Sequence, residues 1–106
     1  MIPSTIVDLV NQLIKKTQNN ELDWSYDHEN SSIFLELPQS NLTVNLRYRF
    51  DEVYECGIFF INFNLNKVDY YFDAKEGYDD EYFILKNLYD LAQSSHFQKS
   101  FSAIKI

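Results

Sequence analysis

The sequence predicts an α+β domain in which an N-terminal helix, a five-stranded antiparallel meander and a C-terminal helix with a short helical tail follow one another. Three observations predict it. Apolar residues recur with helical spacing near both ends of the chain, they alternate with polar residues through the middle, and one central run is apolar in both phases. The connections between the alternating segments are short, which favours antiparallel neighbours. A length of 106 residues is that of one domain, so we expect a single core spanning residues 1–106.

The central run, residues 57–63, carries most of this assignment because both of its side-chain phases are apolar. Successive strand side chains point to opposite faces, so such a run is typical of an interior strand with both faces shielded. A buried helix is the alternative interpretation. The many aromatic and β-branched residues, and the boundaries at Gly57 and at the turn of residues 64–67, favour the strand.

Both helices are predicted from spacing and from capping residues. Residues 3–17 place Ile6, Leu9, Val10, Leu13, Ile14 and Thr17 on one stripe. Ser4 or Thr5 can cap this helix, with Asp8 placed to complete a capping box. Asp79 or Asp80 can cap a second helix over about residues 81–94, whose inward stripe is Tyr82, Leu85, Leu88, Tyr89 and Ala92. Phe97, Phe101 and Ile104 then predict a tail that forms a short helix or lies on the core.

Five strands are predicted between the helices. Residues 22–26 and 33–37 form a hairpin around the turn of residues 27–31, and residues 42–50, 57–63 and 68–73 complete the meander. One phase of each strand is apolar and is expected to face the helices. The opposite phase consists of Phe34, Glu36, Asn45, Arg47, Arg49, Ile58, Phe60, Asp69 and Tyr71.

Six side chains of that opposite phase are the predicted contact surface for a partner protein: Phe34, Arg47, Arg49, Ile58, Phe60 and Tyr71. Aromatic residues and arginine are enriched where proteins contact one another. Two arrangements are open at this point. If both helices cover one face of the sheet, these residues are accessible to a partner; if the helices cover opposite faces, they belong to a second layer of core.

The negative charge is concentrated in one part of the chain. Residues 51–81 hold nine acids and two lysines, so they account for the whole net charge of −7. A second predicted contact surface, the acidic edge, consists of Asp73, Glu76, Asp79, Asp80 and Glu81. It is either a solvated face or a surface that docks onto a basic region of another protein, with Tyr54, Tyr78 and Tyr82 as anchors. The overall charge argues against direct binding of nucleic acid or of an anionic membrane.

Catalytic and metal-binding motifs are not evident in the sequence. His28 and His96 are far apart and lack metal-site spacing, and two glycines cannot build a phosphate loop. Cys56 is the only cysteine, which excludes an internal disulfide and fits a small buried residue. No apolar run approaches the ~20 residues that cross a bilayer. We therefore expect a cytoplasmic protein that is not an enzyme and that uses no cofactor or metal.

The order of elements resembles that of small bacterial and phage proteins encoded near toxin or defence systems. The resemblance rests on residues 13–17 running into residues 21–24, and on the closing hydrophobic spacing of residues 85–92. It implies a binding role, as an immunity protein or antitoxin that occludes a toxin, or as a phage protein that blocks a host defence. It assigns no functional residue.

Three functional hypotheses follow from these observations. The first is a non-catalytic module that inhibits or occludes a partner protein. The second is a structural homodimer or adaptor that packs its open sheet face, with Phe34, Ile58 and Phe60 at the interface. The third is a small-ligand-binding or hydrolytic protein with its site between the sheet and the helices.

Overall fold

The computed structural model describes residues 2–105 and confirms the predicted α+β class. Its five strands pair antiparallel in sequence order, with β1 at one edge of the sheet and β5 at the other. The elements are α1 (Ser4–Gln18), β1 (Ser25–Asp27), β2 (Ser32–Leu37), a 3₁₀ turn (Pro38–Ser40), β3 (Leu42–Asp51), β4 (Cys56–Leu65), β5 (Val68–Lys75) and α2 (Tyr82–Phe101).

The register of the sheet fixes which side chains share a face. Ile33 pairs with Leu46, Leu46 with Ile61 and Ile61 with Phe72, so these four side chains form one row across β2 to β5. The first three are buried and Phe72 is half-buried. This face therefore carries the core, as the apolar phase of the alternating segments predicts.

Both helices cover this same face. Val10 and Leu13 of α1, and Leu85 and Leu88 of α2, belong to the cluster of buried side chains that contains the sheet row. Every sheet strand member of that cluster comes from the apolar phase: Ile33, Leu35, Leu42, Val44, Leu46, Phe59, Ile61, Phe63 and Ala74. The arrangement with helices on opposite faces is therefore excluded. Within residues 2–105, the other face of the sheet, here called the outer face, carries no helix.

The helix ends differ from the sequence prediction. Pro3 occupies the N-cap position of α1 and Glu81 that of α2, and neither helix end is capped by a side-chain hydrogen bond. The predicted caps from Ser4, Thr5 and Asp8 are therefore wrong. Helix α2 runs without a break to Phe101, so the predicted helical tail is its last turns. Phe97, Phe101 and Ile104 are exposed and are not part of the buried core, although Phe97 packs edge to face on Tyr26 with ring centroids 5.4 Å apart.

The connection between α1 and β1 is fixed by a buried hydrogen-bond pair. The Thr17 hydroxyl donates to the Leu13 carbonyl oxygen at 2.6 Å and accepts from the Trp24 indole N–H at 2.9 Å. Trp24 is only 2% exposed, so its N–H depends on this one acceptor. A threonine on the apolar stripe of α1 therefore satisfies the single polar atom of the largest core side chain.

We expect Thr17→Val to lower the free energy of unfolding by about 1–3 kcal/mol, because the isosteric valine leaves the Trp24 N–H buried without a partner. Thr17→Ser keeps the acceptor and should lose clearly less. Urea denaturation followed by tryptophan fluorescence measures both variants. Equal losses in the two would show that the methyl group of Thr17 contributes as much as its hydroxyl, and would contradict a dominant role for the hydrogen bond to Trp24.

Gly57 is required by the close approach of two tyrosines. A Cβ atom at this position would lie 2.7 Å from Tyr48 Cε1 and from Tyr48 Oη, and 2.8 Å from Tyr82 Oη. Phe59 packs against both rings in tilted orientations, with its ring centroid 5.1 Å from that of Tyr48 and 5.2 Å from that of Tyr82. The glycine at the start of the central run thus leaves room for an aromatic cluster.

We expect Gly57→Ala to destabilise the fold by about 1–3 kcal/mol, since a methyl group must displace packed rings. Adding Tyr48→Val removes both Tyr48 atoms from the clash. The double variant should then lose less than the sum of the two single variants, measured by thermal unfolding. Strict additivity would contradict the close approach described here.

Candidate functional site

The outer face is a flat array of side chains arranged in rows across the strands. One row runs from Arg47 through Phe60 to Asp73, and the next runs from Asn45 through Asn62 to Tyr71. The register continues the second row to Phe34 on β2. Arg47, Tyr71 and Asp73 are exposed, and Phe34, Asn45, Phe60 and Asn62 are half-buried. Aromatic, amide and charged groups thus alternate over this face.

A shallow depression of about 470 Å³ lies between these two rows. Phe60 lies on its floor, and the Arg47 guanidinium carbon is 5.4 Å from the centre of the Phe60 ring. Cations over aromatic faces are attracted by the ring quadrupole, so this contact holds the arginine against the sheet. The lining residues are Asn45, Arg47, Phe60, Ile61, Asn62, Tyr71, Phe72 and Asp73.

The depression has a positive and a negative side. Arg47 on β3 and Asp73 on β5 flank Phe60 on β4, so the two charges stand two strand spacings apart, roughly 10 Å. Such a surface suits a partner that presents one acidic and one basic group around an apolar side chain.

Two neighbouring residues of the predicted contact surface, Ile58 and Arg49, differ in their accessibility. Ile58 projects to the outer face between Arg49 and Lys75, but it is only 4% exposed. The Lys75 ammonium nitrogen lies 4.2 Å from the centre of the Tyr54 ring, which brings the β3–β4 loop over this end of the face. Ile58 is therefore wrong as a contact residue, whereas Arg49 beside it is exposed.

The acidic edge is not one continuous surface. Asp73 lies in the depression of the outer face, whereas the other four residues lie in the β5–α2 connection. The Asp79 carboxylate accepts the Lys75 backbone N–H at 2.9 Å, and Glu81 accepts that of Ile2 at 3.0 Å. Glu76 accepts the Gly57 N–H at a longer 3.4 Å. Three of the five acids thus bind backbone donors of this chain, and the predicted capping by Asp79 is replaced by its contact with β5.

Two of the three predicted tyrosine anchors are accessible. Tyr54 and Tyr78 are exposed and pack edge to face with ring centroids 5.9 Å apart. The β3–β4 loop and the β5–α2 connection are therefore in contact. Tyr82 is 4% exposed, and its burial raises the pKa of its phenol to about 12. It is a core residue and not an anchor.

The two histidines and the cysteine do not line the depression of the outer face. His28 is exposed in the turn after β1, and His96 is half-buried, with its Nδ1 atom 3.2 Å from the Trp24 carbonyl oxygen. Cys56 is buried, as expected. Within residues 2–105, no cluster of three or more histidine, cysteine or acidic side chains has metal-binding geometry. No helix in the same range has the length and apolar character needed to cross a membrane.

Sequence reasoning missed the exposed apolar surface on the helix side of β5. Val68 and Tyr70 have the predicted inward phase, but they are 50% and 47% exposed. The helices do not extend over this part of the edge strand. Alternation predicts the phase of a side chain, and it gives no measure of how far the covering layer reaches.

Comparison of the chain with protein-family models, with curated proteins and with solved structures gives no match.

The Glu81 carboxylate predicts a specific dependence of stability on pH. The hydrogen bond from the Ile2 backbone N–H favours its ionised form and lowers its pKa below the usual range for glutamate. Its contribution is present above the ordinary glutamate pKa and is lost as pH falls through the lowered value. We expect the melting temperature of Glu81→Gln to fall less than that of the parent between about pH 7 and about pH 3.5.

Glu52→Gln, in the exposed β3–β4 loop, is the matched control and should behave like the parent. Calorimetry at the two pH values measures all three proteins. If the glutamine at position 81 leaves the acid sensitivity unchanged, the hydrogen bond to Ile2 does not contribute to it.

Proposed function

We propose that this protein is a non-catalytic binding module whose outer face contacts a partner protein and occludes that partner's own functional surface. The single observation that supports it is the placement of both helices on one side of the sheet, so that no helix in the described part of the chain covers the face with Arg47, Phe60 and Tyr71. Arginine and aromatic side chains are the groups that most often dominate binding energy at protein interfaces. The proposal places this binding in the cytoplasm, since a single buried cysteine suits a reducing compartment.

The arrangement of charges supports a heterologous partner over a second copy of the chain. Arg47, Arg49 and Lys75 carry the positive charge of the outer face, while Glu36, Asp69 and Asp73 carry the negative charge. Interfaces between identical subunits are more apolar than this, with charge depleted at their centres. The homodimer hypothesis is therefore the weaker one for this face.

The polar groups of the depression support binding over hydrolysis. Asn45 and Asn62 can orient a partner's backbone or amide groups, and Phe60 offers an apolar floor. A third hypothesis, a small-ligand or hydrolytic site between sheet and helices, has no such support, because the side chains of that layer form the packed core.

A charge-reversal pair with a matched control tests the proposal. Tagged protein is used to capture partners from a lysate of the source cells, and captured proteins are identified by mass spectrometry. We expect a stoichiometric partner that is lost with Arg47→Glu/Arg49→Glu. Lys15→Glu/Lys16→Glu changes the net charge equally on exposed positions of α1, and it should retain the partner.

The occlusion itself is tested with the captured partner in purified form. Hydrogen–deuterium exchange of the complex should protect β3, β4 and β5 amides, and adding this protein should reduce the partner's activity. A partner lost equally with both double variants, or protection confined to the helices, would contradict the proposed surface. Circular dichroism of each variant confirms that it is folded.

A further inference from the structure

The free edge of β5 is the strongest remaining feature of the molecule. β5 is eight residues long and has a neighbouring strand on one side only. Exposed apolar side chains lie on both of its faces: Val68 and Tyr70 on the helix side, and Tyr71, which is 74% exposed, on the outer face. Edge strands of this kind present backbone groups that pair readily with another chain.

The hydrogen bonds around β5 show which of its backbone groups point outward. The Glu76 N–H donates to the Gly57 carbonyl oxygen at 2.9 Å, in the register that pairs Ile58 with Lys75. Since bonding direction alternates along an antiparallel strand, the even-numbered residues of β5 bond towards β4. The N–H and C=O groups of Asp69, Tyr71 and Asp73 therefore point to the free edge.

Lys75 confirms this alternation and marks the end of the usable edge. Its outward N–H donates to the Asp79 carboxylate at 2.9 Å, and its carbonyl oxygen accepts the N–H of Tyr78 at 3.1 Å and that of Asp79 at 2.9 Å. The β5–α2 connection thus covers the edge at Lys75. The outward-facing positions that remain before it are Asp69, Tyr71 and Asp73.

The charges of these positions decide which strand can pair there. If β5 of a second copy paired antiparallel with this edge, the symmetric register would set Tyr71 opposite Tyr71. Asp69 of each copy would then lie opposite Asp73 of the other. Like charges directly opposite one another destabilise a strand pair, whereas opposite charges stabilise it. Asn64, which pairs with Asp69 from β4, donates to its carboxylate at 3.0 Å, so this charge is held on the outer face of the edge strand. A basic strand is favoured over a second copy of the chain.

We propose that the free edge of β5 accepts an extended segment of a partner protein as a sixth, antiparallel strand. The segment carries basic side chains opposite Asp69 and Asp73 and an apolar side chain opposite Tyr71. Its alternate side chains lie on the helix side and cover Tyr70 and Phe72, which calls for apolar residues there as well. The proposed segment therefore has five consecutive residues in the order basic, apolar, apolar, apolar, basic. The inference rests on the proposed function, because it adds a second contact to the partner of the outer face.

Synthetic peptides test this edge directly, with binding followed through the amide chemical shifts of the full-length protein. The probe is a peptide with the core sequence Lys-Ile-Val-Ile-Lys and a threonine at each end. Its N-terminus is acetylated and its C-terminus is amidated. We expect shifts in residues 69–73 and binding that weakens with salt. Replacing both lysines by glutamate should weaken binding about tenfold or more.

Backbone methylation separates strand pairing from charge attraction. In the proposed pairing the amide of the central valine faces β5, whereas those of the two isoleucines face solvent. N-methylation of the valine should abolish binding, and N-methylation of one isoleucine should leave it within about threefold, since no hydrogen bond to β5 is lost. On the protein, Tyr71→Pro removes the outward N–H at the centre of the edge and should abolish binding, while Tyr71→Ala should weaken it less.

Several outcomes would overturn the inference. These are the absence of shifts in β5 with the lysine peptide, equal binding of the glutamate peptide, and equal effects of the two methylations. If the protein is a dimer and Tyr71→Pro converts it to a monomer, the strand that pairs with β5 is that of a second copy and not a basic segment of a partner. Arg47→Glu/Arg49→Glu should keep peptide binding. If the peptide does not bind but the captured partner still depends on Arg47 and Arg49, the edge proposal is wrong and the proposed function stands. If the peptide binds but no partner depends on Arg47 and Arg49, the edge proposal stands and the proposed function is wrong.

Discussion

The fold depends on the way residues 22–24 tie both helices to the first strand. Trp24 donates to Thr17 in α1, and its carbonyl oxygen contacts His96 in α2. Lys99, one turn further along α2, donates to the Leu22 carbonyl oxygen at 2.8 Å. The connection therefore contacts two helices that are distant in sequence and leads directly into β1. Because Trp24 is buried on the apolar side of the sheet, both helices are held on that side.

This one-sided packing determines the chemistry of the outer face. Polar side chains on a sheet face that meets water can bond to water or to one another, and here the amides of β4 bond to the neighbouring strand: Asn62 and Asn64 donate to Asp69 at 3.4 and 3.0 Å. Arg47 and Arg49 stand towards the β3–β4 loop, while Glu36 and Asp69 stand at the opposite end of the strands. The face is therefore polarised along the strands, and a bound partner would be oriented by that polarity as well as attracted by it.

Local patterns in the sequence predicted the elements and their phases well. The alternation in residues 42–50 and the doubly apolar run at residues 57–63 are properties of single strands, so they can be read without knowing the neighbours. The status of Ile58 and Tyr70 depends on tertiary contacts. Ile58 has the outward phase but is covered near the Tyr54 loop, and Tyr70 has the inward phase but lies beyond the reach of the helices. The register of the sheet and the length of its covering layer decide such cases.

The same distinction applies to the acidic residues, which set the net charge but do not dominate the candidate surfaces. Asp51 accepts the N–H groups of Val53 and Tyr54 at 2.8 and 3.0 Å, and Asp79 and Glu81 bind backbone donors in the same way. Turns and strand ends expose backbone N–H groups, and a carboxylate is a strong acceptor for them. Much of the net charge therefore reflects how the loops are built. The two acids on which the proposed strand pairing depends, Asp69 and Asp73, lie on β5, where side chains follow the spacing of a strand and can each be matched to one position of a paired segment.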